Sequence, residues 1–339
     1  MTLQPELLNS ATFVGIDAHP DSHTAVAINR FKEIKGSLTF PNSKEGIVKF
    51  HSWLLKIEQQ KEKTILGIEG GSDARTALTV SILSVYDLLF EVNPLYTKHK
   101  RSFGTRADKT DIRDAKLIAG VLTTEHSELP RITPRQVSAS MQILKKSVSF
   151  YEDITLQNSR VKNQLHKLKR EHTLADDPAI KEVFANIIRV KKEQLSFGEK
   201  AKQEITRGLS NLLKDCKGKN LTKIRGIGVV TAIRIEAHTG GIERFHNRNG
   251  YVRYAGIAPL SRSSGKVNRF VNTKRGNRKL NSVLYFAVLD RIIWDKQVKQ
   301  RYEARIASGK TKREAILFLM RKTALLIYGM LRSGEIYRP

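Results

Sequence analysis

The chain has 339 residues, of which 40% are hydrophobic, so it is long enough for two or three domains with real cores. Lysine and arginine number 60 against 33 acids, which gives a net charge of +27 and an isoelectric point near 10.2. No apolar run approaches the roughly 18 residues of a membrane span, and the single cysteine, Cys216, excludes an internal disulfide and a cysteine-based zinc site. The N-terminal sequence lacks the basic start and apolar run of a signal peptide. We therefore expect a soluble, cytoplasmic protein without a membrane partner.

The positive charge is concentrated toward the C-terminus. Residues 1–135 carry a net charge of +2, residues 136–220 one of +7, and residues 221–339 one of +18. Between Arg244 and Leu289 there is no acidic residue. A positive field of this size attracts polyanions, among which nucleic acid is the commonest partner of a basic protein. The composition also fits a soluble protein that is basic in general and has no nucleic-acid partner.

The first 135 residues predict a mixed sheet with helices on its faces. Three runs in hairpin order, residues 12–18, 23–29 and 36–40, predict strands. Helical spacing and a cap at Asn42 or Ser43 predict a helix over residues 44–58. Alternating strands and helices follow along the chain, with strands at 64–68 and 88–92 and helices at 74–88 and from about 109 onward.

The remainder of the chain predicts helices. Residues 137–218 indicate two long helices divided at Asp176-Asp177-Pro178, interpreted as an antiparallel coiled-coil arm. Two ordinary bundle helices are the other interpretation, because no strict heptad persists. From residue 221 onward, short helices and glycine turns precede helices over 279–295 and 311–332. The predicted fold is an α/β N-terminal domain over 10–135, an all-α coiled-coil arm over 137–218 and a mainly α C-terminal domain over 219–335.

The helix predicted from KTDIRDAKLIAG (residues 109–120) carries acids where apolar residues belong. Asp108 is its predicted N-cap. At about 100° per residue, Asp111 falls inside the apolar stripe and Asp114 at its edge. A buried carboxylate without a counter-charge is costly, so we expect a cation opposite these two acids. The apolar stripe consists of Ile112, Ala115, Ile118, Ala119 and Leu122, with Arg113, Lys116 and Gly120 on the opposite side.

Two further acids come at the ends of predicted strands. Asp17 ends the first strand, and Glu69 follows the apolar run of the fourth. Four carboxylates can then converge on one point, where Mg²⁺ or Mn²⁺ would offset their repulsion and retain water molecules for a phosphate substrate. Two such ions about 4 Å apart can stabilise the attacking and leaving oxygens of a phosphodiester displacement. The sequence therefore predicts a metal site at Asp17, Glu69, Asp111 and Asp114, although each acid alone could be a helix cap or salt-bridge partner.

Residues 254–280 combine serines and glycines with a dense set of basic residues. A serine hydroxyl is a poor nucleophile until its proton is removed or the leaving charge is offset. Guanidinium and ammonium groups would hold a phosphodiester and stabilise its charged transition state. Taken alone, the segment could equally be an ordinary loop that only grips DNA. The residues concerned are Ser261, Ser263 and Ser264 with Arg262, Lys266, Arg269, Lys274, Arg275, Arg278 and Lys279.

A third motif is LTKIRGIGVVTAIRI, residues 221–235. Its apolar-x-G-I-G turn before a helix resembles a helix-hairpin-helix, in which backbone N–H groups bind a phosphate at a helix N-terminus. Gly226 and Gly228 would carry this contact. A tight turn between two helices is the alternative interpretation.

These motifs together resemble the DEDD transposases of insertion sequences, recombinases whose studied members are guided by a bridge RNA. The resemblance spans nearly the whole chain, including KNQLHKL at 162–168. In the N-terminal half, VGIDAH, LGIEGG and KTDIRDA place Asp17, Glu69, Asp111 and Asp114 in the pattern of the family's ribonuclease-H-like, RuvC-type domain. In the C-terminal half the matching motifs are AGIAP at 255–259, SSG at 263–265 and KRGNRKL at 274–280.

The resemblance implies a DNA transposase or site-specific recombinase. In the family pattern the serine directly before glycine attacks a DNA phosphate and forms a covalent phosphoserine link, which maps to Ser264, with Ser263 adjoining. The resemblance also implies Mg²⁺ or Mn²⁺, a composite site in which the acids of one subunit complete the serine site of another, and a location in the bacterial cytosol or nucleoid. The implied partners are double-stranded DNA, a structured guide RNA, and further copies of the chain in a dimer or tetramer.

Two other functions remain open from the residues themselves. One is a metal-dependent, structure-specific nuclease, such as a Holliday-junction resolvase, in which Ser264 only contacts DNA. The other is a non-catalytic nucleic-acid-binding protein, which has no need of acids on an apolar helix face. The chain contains no G-x-x-x-x-G-K-[ST] motif, in keeping with strand exchange that conserves phosphodiester energy and needs no ATP.

Overall fold

The computed structural model describes residues 5–58, 60–69, 76–94, 96–97, 110–264, 267–272 and 276–336, and over 259–264 and 267–272 it describes the backbone alone. The described chain divides into two compact units. The first takes in the residues up to Ser138 together with Gly241–Gly250, and the second takes in Ala139–Gly240 and the residues from Tyr251 onward. None of the helices in these described ranges is both long and apolar enough to cross a bilayer.

The first unit contains a five-stranded sheet in the order β3-β2-β1-β4-β5. Strand β1 pairs antiparallel with β2 and parallel with β4, while β2 pairs antiparallel with β3 and β4 parallel with β5. The predicted mixed sheet is therefore confirmed. The strands are β1 Thr12–Ala18, β2 Ser22–Ile28, β3 Ile34–Pro41, β4 Thr64–Glu69 and β5 Leu89–Val92.

Helices cover both faces of this sheet. Val14 and Ile16 of β1 pack with α2 and α3 on one face, whereas Phe13 packs with α4 on the other. The Ser43 hydroxyl caps α2 by accepting from Gly46 N at 3.1 Å, as predicted. Helix α3 is shorter than the predicted 74–88. The helices of this unit's N-terminal part are α1 Pro5–Ser10, α2 Lys44–Ile57, α3 Thr76–Leu83, α4 Asp111–Glu125 and α5 Pro134–Val137, with a 3₁₀ turn at Lys61–Lys63.

The second unit begins with two long helices, α6 Ala139–Leu174 and α7 Pro178–Lys214, and the Asp177 carboxylate caps the second. They pack along each other in opposite directions. A Cβ at Gly198 would lie 2.0 Å from Asn158 Oδ1, and farther along the helices Lys202 Nζ lies over the Tyr151 ring at 5.3 Å. The predicted pair of long helices is confirmed, while its classification as a coiled coil stays a prediction.

The C-terminal region is mostly helical, as predicted. It also contains a two-stranded antiparallel sheet, β6 with β7, which the serine-rich and basic composition did not predict. The elements after α7 are 3₁₀ turns at Lys217–Lys223 and Ile242–Arg244, α8 Val229–Thr239, α9 Arg248–Tyr254, β6 Pro259–Ser264, β7 Val267–Asn272, α10 Arg278–Trp294, α11 Lys296–Ala307 and α12 Lys312–Ser333.

A short segment from late in the sequence, Gly241–Gly250, belongs to the first unit. The Arg244 guanidinium donates a hydrogen bond to the Glu91 carboxylate on β5, and both side chains are largely buried. Nearby, Arg135 Nη1 lies 3.1 Å from Glu243 Oε1. The burial of the Arg244–Glu91 pair makes this segment an integral part of the first unit, because an arginine is rarely buried without its counter-charge.

Candidate active site

Two glycines allow α4 to lie directly against the sheet. A Cβ at Gly15 would be 2.1 Å from the Ala115 carbonyl oxygen and 2.3 Å from Ala119 N, and one at Gly67 would be 2.9 Å from a methyl carbon of Leu122. A residue with a side chain at position 15 would therefore collide with helix backbone. Glycine is needed on both strands because the helix crosses them at contact distance.

The same glycines locate the two strand-end acids. Residues two apart on a strand lie on the same face, so Asp17 shares the α4 face with Gly15, and Glu69 shares it with Gly67. Ile16 pairs with Ile68 across parallel strands, which makes Asp17 and Glu69 the next residues along their adjacent strands. Adjacent strands are about 4.8 Å apart. The fold thus places these two residues next to each other at the ends of neighbouring strands, and both are half-buried.

The acids of α4 differ from each other in burial. Asp114 is only 3% exposed, and it precedes Ala115, whose carbonyl lies over Gly15. Asp111 is exposed as the first residue of the helix. The structure therefore places Asp17, Glu69 and Asp114 on one side of the sheet and leaves Asp111 one helical turn away at the helix start.

The start of α4 differs from the prediction in three details. Its N-cap is Thr110, whose hydroxyl accepts from Arg113 N at 3.3 Å, while Asp108 lies outside the described residues. Ile112, predicted in the buried stripe, is 49% exposed because it lies in the first turn, ahead of Ala115 where the close contact with β1 begins. Gly120, predicted on the outer side, is buried, although a Cβ there would meet nothing within 4 Å.

The donor chemistry of these acids fits a divalent cation. Carboxylate oxygens are the ligands that Mg²⁺ and Mn²⁺ prefer, and the side chains of Asp17, Glu69 and Asp114 offer no other kind of donor. Thr97 Oγ1 lies 3.3 Å from Glu69 Oε1 and adds a hydroxyl beside the carboxylates. Within the described ranges, no group of three or more histidine, cysteine, aspartate or glutamate side chains is placed to hold a metal ion. The metal site at the four acids stays a prediction.

The predicted nucleophile, Ser264, is the last residue of β6. It pairs with Val267 of β7, so two residues, 265 and 266, connect the strands of a hairpin. Since residues alternate between strand faces, Ser264 lies on the same hairpin face as Arg262 and Arg269, which are paired with each other. Ser263 lies on the other face.

The other predicted basic contacts are divided between described and undescribed parts of the chain. Lys266, Lys274 and Arg275 lie outside the described residues. Arg278 is exposed in the first turn of α10.

The sequence contains one signal of the hairpin that the prediction missed. Gly265-Lys266 is a glycine-initiated pair of the kind found in two-residue hairpin turns, and it could have predicted β6 and β7.

The segments before and after this hairpin are joined by a close glycine–glycine contact and by hydrogen bonds from two asparagines. A Cβ at Gly276, where φ is +117°, would lie 2.6 Å from Gly256 N. Asn277 N donates to the Tyr254 carbonyl at 2.7 Å, and its Nδ2 donates to Tyr254 Oη at 2.9 Å. Asn277 Oδ1 also caps α10, and Asn281 Nδ2 donates to the Ala255 carbonyl at 2.9 Å. Residues 254–257 and 276–281, hereafter the hairpin base, therefore form one hydrogen-bonded block.

The turn around Gly226 and Gly228 has a structural explanation. Gly226 has a φ of +83°, and a Cβ there would lie 2.7 Å from Arg291 N in α10. Gly228 is the N-cap of α8, and a Cβ there would meet nothing within 4 Å. The element before the turn is a 3₁₀ helix instead of the α-helix that a helix-hairpin-helix requires. The close packing accounts for Gly226, and phosphate binding at the two glycines stays a prediction.

Two family models match this chain, and each match contains one of the two candidate sites. The family model of DEDD transposases of the IS110 type matches residues 14–172, and the model described as the transposase IS116/IS110/IS902 family matches residues 218–303. The chain belongs to the IS110 family of transposases. The first match contains the four acids of the predicted metal site, and the second contains Ser264 and the hairpin base of this IS110-family chain.

Some curated relatives match this IS110-family chain over only part of their length, and others match over nearly all of it. The insertion element IS110 uncharacterized 43.6 kDa protein of Streptomyces coelicolor is 31% identical over 34% of this chain, and the match spans 29% of that relative's length. The transposase for insertion sequence element IS1111A of Coxiella burnetii is 26% identical over 40% of this chain and 38% of its own length. The pilin gene-inverting protein of Moraxella lacunata is 24% identical over 96% of this chain and 97% of its own length.

Proposed function

We propose that the protein is an insertion-sequence transposase or site-specific recombinase that cuts and rejoins DNA through a covalent link to Ser264, assisted by a divalent metal. The observation that carries the proposal is the alignment of Asp17 and Glu69 at the ends of adjacent parallel strands, on the face covered by the helix of the buried Asp114. Membership of a transposase family and the relationship to a pilin gene-inverting protein support DNA recombination as the outcome.

The first unit would serve as a ribonuclease-H-like metal domain. Asp17, Glu69, Asp111 and Asp114 would hold Mg²⁺ or Mn²⁺. When bound, the metal supplies stabilisation of negative charge on the phosphate oxygens during displacement. The role of the protein is to hold the carboxylates in fixed positions. Gly15 and Gly67 contribute by letting α4 lie directly against the strands that end at Asp17 and Glu69.

The hairpin of the second unit would supply the nucleophile. The Ser264 oxygen forms a bond to phosphorus as the P–O bond to one DNA strand breaks; the serine loses its proton and the released DNA oxygen gains one. A hydroxyl of the partner strand then attacks the phosphoserine and frees the serine. Arg262 and Arg269, on the Ser264 face of the hairpin, would hold the phosphate by charge-assisted hydrogen bonds. Phosphodiester energy is conserved in both steps.

Target choice and assembly complete the proposal. A structured RNA would guide the enzyme to double-stranded DNA, with the net charge of +27 supplying the electrostatic attraction to both polyanions. The helical hairpin of α6 and α7, as a coiled-coil arm, would assemble a dimer or tetramer. In that assembly the acids of one subunit would complete the serine site of another.

The deciding experiment is capture of the covalent intermediate. Purified protein is incubated with Mg²⁺, end-labelled DNA carrying the element's ends, and RNA transcribed from the flanking sequence, and is then denatured. We expect labelled DNA attached to the wild-type protein, no adduct with Ser264→Ala, and an adduct with Ser263→Ala, which removes a neighbouring hydroxyl from the opposite hairpin face. Free DNA ends with wild type and with Ser264→Ala would instead identify a metal-dependent nuclease.

The acids are tested with isosteric variants. Asp17→Asn and Glu69→Gln should each lower adduct formation by at least 100-fold, since they remove a charge from the site that stabilises the transition state. Glu33→Gln is the matched control, because Glu33 is an exposed acid hydrogen-bonded to Asn29 at the opposite end of the sheet. Unchanged DNA processing in both site variants would contradict the carboxylate site, and DNA binding without any processing by wild type would leave only a nucleic-acid-binding protein.

Mixing two inactive variants tests the composite site. If the acids and the serine of one site come from different subunits, Asp17→Asn and Ser264→Ala proteins co-expressed together should recover part of the activity that each lacks. No recovery in a verified mixed oligomer would contradict the composite site. Ribonuclease treatment that leaves target recognition unchanged would contradict RNA guidance.

A further inference from the structure

A carboxylate of the second unit, outside the site described above, contacts an arginine, a lysine and a histidine. Glu152, on α6, is 13% exposed; its Oε1 accepts from His238 Nε2 at 2.7 Å and from Arg234 Nε at 3.0 Å. Its Oε2 lies 3.3 Å from Lys279 Nζ, on the hairpin base. Burial by itself would raise the pKa of Glu152, but the hydrogen bonds and charges of His238 and Arg234 outweigh it and lower the pKa to about 2. Glu152 therefore remains ionised at neutral pH.

These contacts join three helices at one carboxylate. Glu152 belongs to the long helical hairpin, Arg234 and His238 to α8, and Lys279 to the first turn of α10. A carboxylate that accepts hydrogen bonds from several charged donors fixes them in direction as well as distance. The three helices can therefore shift relative to one another only by breaking charge-assisted hydrogen bonds.

The same cluster reaches the hairpin base by a second route. The Tyr254 hydroxyl lies 3.3 Å from the His238 carbonyl oxygen, and Asn277 Nδ2 donates to that hydroxyl at 2.9 Å. Asn277 in turn caps the helix that carries Lys279. Strand β6 begins two residues after the hairpin base, at Pro259, and β7 ends four residues before it, at Asn272. Both ends of the serine hairpin are thus anchored to the block that Glu152 holds.

From these contacts we infer that Glu152 is a positioning residue for Ser264. Its contacts among the residues whose side chains the structure describes are with the helices from which the hairpin extends, and these it fixes. The inference rests on the proposed function, since it assigns to Glu152 the alignment of the serine nucleophile. It also gives the helical arm a role in the chemistry, because the anchoring carboxylate lies on the arm.

Loss of the charge has a defined consequence. In Glu152→Gln the side chain keeps its size, but Arg234 and Lys279 lose their counter-charge and the amide nitrogen faces their donors. The hairpin base should then loosen, and a displacement of about 1 Å at a nucleophile can slow a reaction by about 100-fold. DNA affinity should be preserved, because the exposed basic residues that attract DNA are untouched.

The test compares Glu152→Gln with Glu152→Asp and with a matched loss of charge on the same helical pair. Glu199→Gln is that control, because Glu199 forms an exposed ion pair with Lys162 between α6 and α7 at 2.9 Å. For each variant we would measure the rate of serine–DNA adduct formation at saturating DNA, the Kd for DNA, and amide hydrogen exchange by mass spectrometry.

The expected pattern separates positioning from stability. Glu152→Gln should slow adduct formation by about 100-fold with a Kd within threefold of wild type, and should speed exchange of peptides within 254–281 by at least tenfold without changing those of β1. Glu152→Asp, which keeps the charge, should recover most of the rate. If Glu152→Gln and Glu199→Gln behave alike in rate and in exchange, the positioning role is wrong.

Two further results keep the outcome decisive. If Glu152→Gln fails to fold, Lys279→Met is tested in its place, because it removes only the half-exposed lysine that contacts Glu152. It should slow adduct formation by about tenfold at saturating DNA. An unchanged rate would refute the positioning role of Glu152. If wild type forms no adduct, or if Ser264→Ala still forms it, the proposed function fails. Amide hydrogen exchange of residues 254–281 in Glu152→Gln would still decide whether Glu152 anchors the hairpin.

Discussion

Replacing Gly15 with alanine should push α4 off the sheet. The added Cβ would lie 2.1 Å from the Ala115 carbonyl oxygen, whereas ordinary contact begins at about 3.4 Å, so the helix must withdraw by about 1.3 Å. Both atoms that it meets, Ala115 O and Ala119 N, are backbone and cannot rotate away. Overpacking of this kind costs about 1–3 kcal/mol, and we place Gly15→Ala at the upper end, near 3 kcal/mol.

Gly67, in the same helix–sheet contact, and Gly120, within α4, provide a graded series. Gly67→Ala meets only methyl groups of Leu122 at 2.9 Å and above, and a leucine side chain can shift, so we expect a loss of about 1 kcal/mol. Gly120→Ala, inside α4, meets nothing within 4 Å and should stabilise the helix by about 0.5–1 kcal/mol. The three variants add the same methyl group, two of them in strands against α4 and one inside the helix with open space around it.

Urea denaturation followed by tryptophan fluorescence measures the series. The chain has two tryptophans, and Trp53 packs against the core of the first unit. In a Trp294→Phe background the signal therefore reports on the first unit alone. With an m-value of about 2 kcal/mol/M, the midpoint should fall by about 1.5 M for Gly15→Ala and rise slightly for Gly120→Ala.

The catalytic consequence gives a second measurement. Withdrawal of α4 moves Asp114 away from Asp17 and Glu69, so folded Gly15→Ala protein should process DNA at least tenfold more slowly, and higher Mn²⁺ should recover part of the rate. Equal midpoints for Gly15→Ala and Gly120→Ala would refute the packing argument. Normal DNA processing by a clearly destabilised Gly15→Ala protein would refute the link between that packing and the carboxylate site.

Three other predictions concern charge and capping. Glu152 has a folded pKa of about 2, below its ordinary 4.5, so its contribution to stability is full above about pH 4.5 and is lost as the pH falls toward 2. The difference in unfolding free energy between wild type and Glu152→Gln should therefore shrink between pH 6 and pH 3 in urea titrations. Asn277→Ala should lower stability by about 1–2 kcal/mol, and Asn277→Asp, which keeps the cap, by less, as read from thermal melting. Arg244→Met should cost about 3 kcal/mol by removing a buried charge partner of Glu91, and adding Glu91→Gln should recover part of this loss in a double-mutant cycle.

Much of the first unit was predictable because its signals are local. Buried strands need continuous apolar residues, so the runs ending at Asp17 and Glu69 identified β1 and β4 nearly to the residue. The capping hydroxyl of Ser43 was equally readable. The helical wheel was wrong for Ile112 because it gives the angle of a residue around a helix, but not where along the helix the sheet contact begins.

The second unit was less predictable for two physical reasons. Polar and basic residues on both faces of β6 and β7 conceal the apolar alternation that usually identifies a strand, and only Gly265-Lys266 signals the turn. The Glu152 cluster depends on contacts across long sequence separations: 82 residues to Arg234 and 86 to His238. Only the tertiary fold brings these residues together.

The membership of Gly241–Gly250 in the first unit has a consequence for how the protein is made. A ribosome synthesises the sheet, its helices and the whole arm before it reaches Arg244, so Glu91 on β5 is made more than 150 residues before this charge partner. Domains generally fold as units, and N-terminal domains generally fold first during synthesis. Here the N-terminal unit is completed only after about three quarters of the polypeptide has been synthesised, and a genetic truncation ending at Ser138 would lack Arg244, which pairs with Glu91.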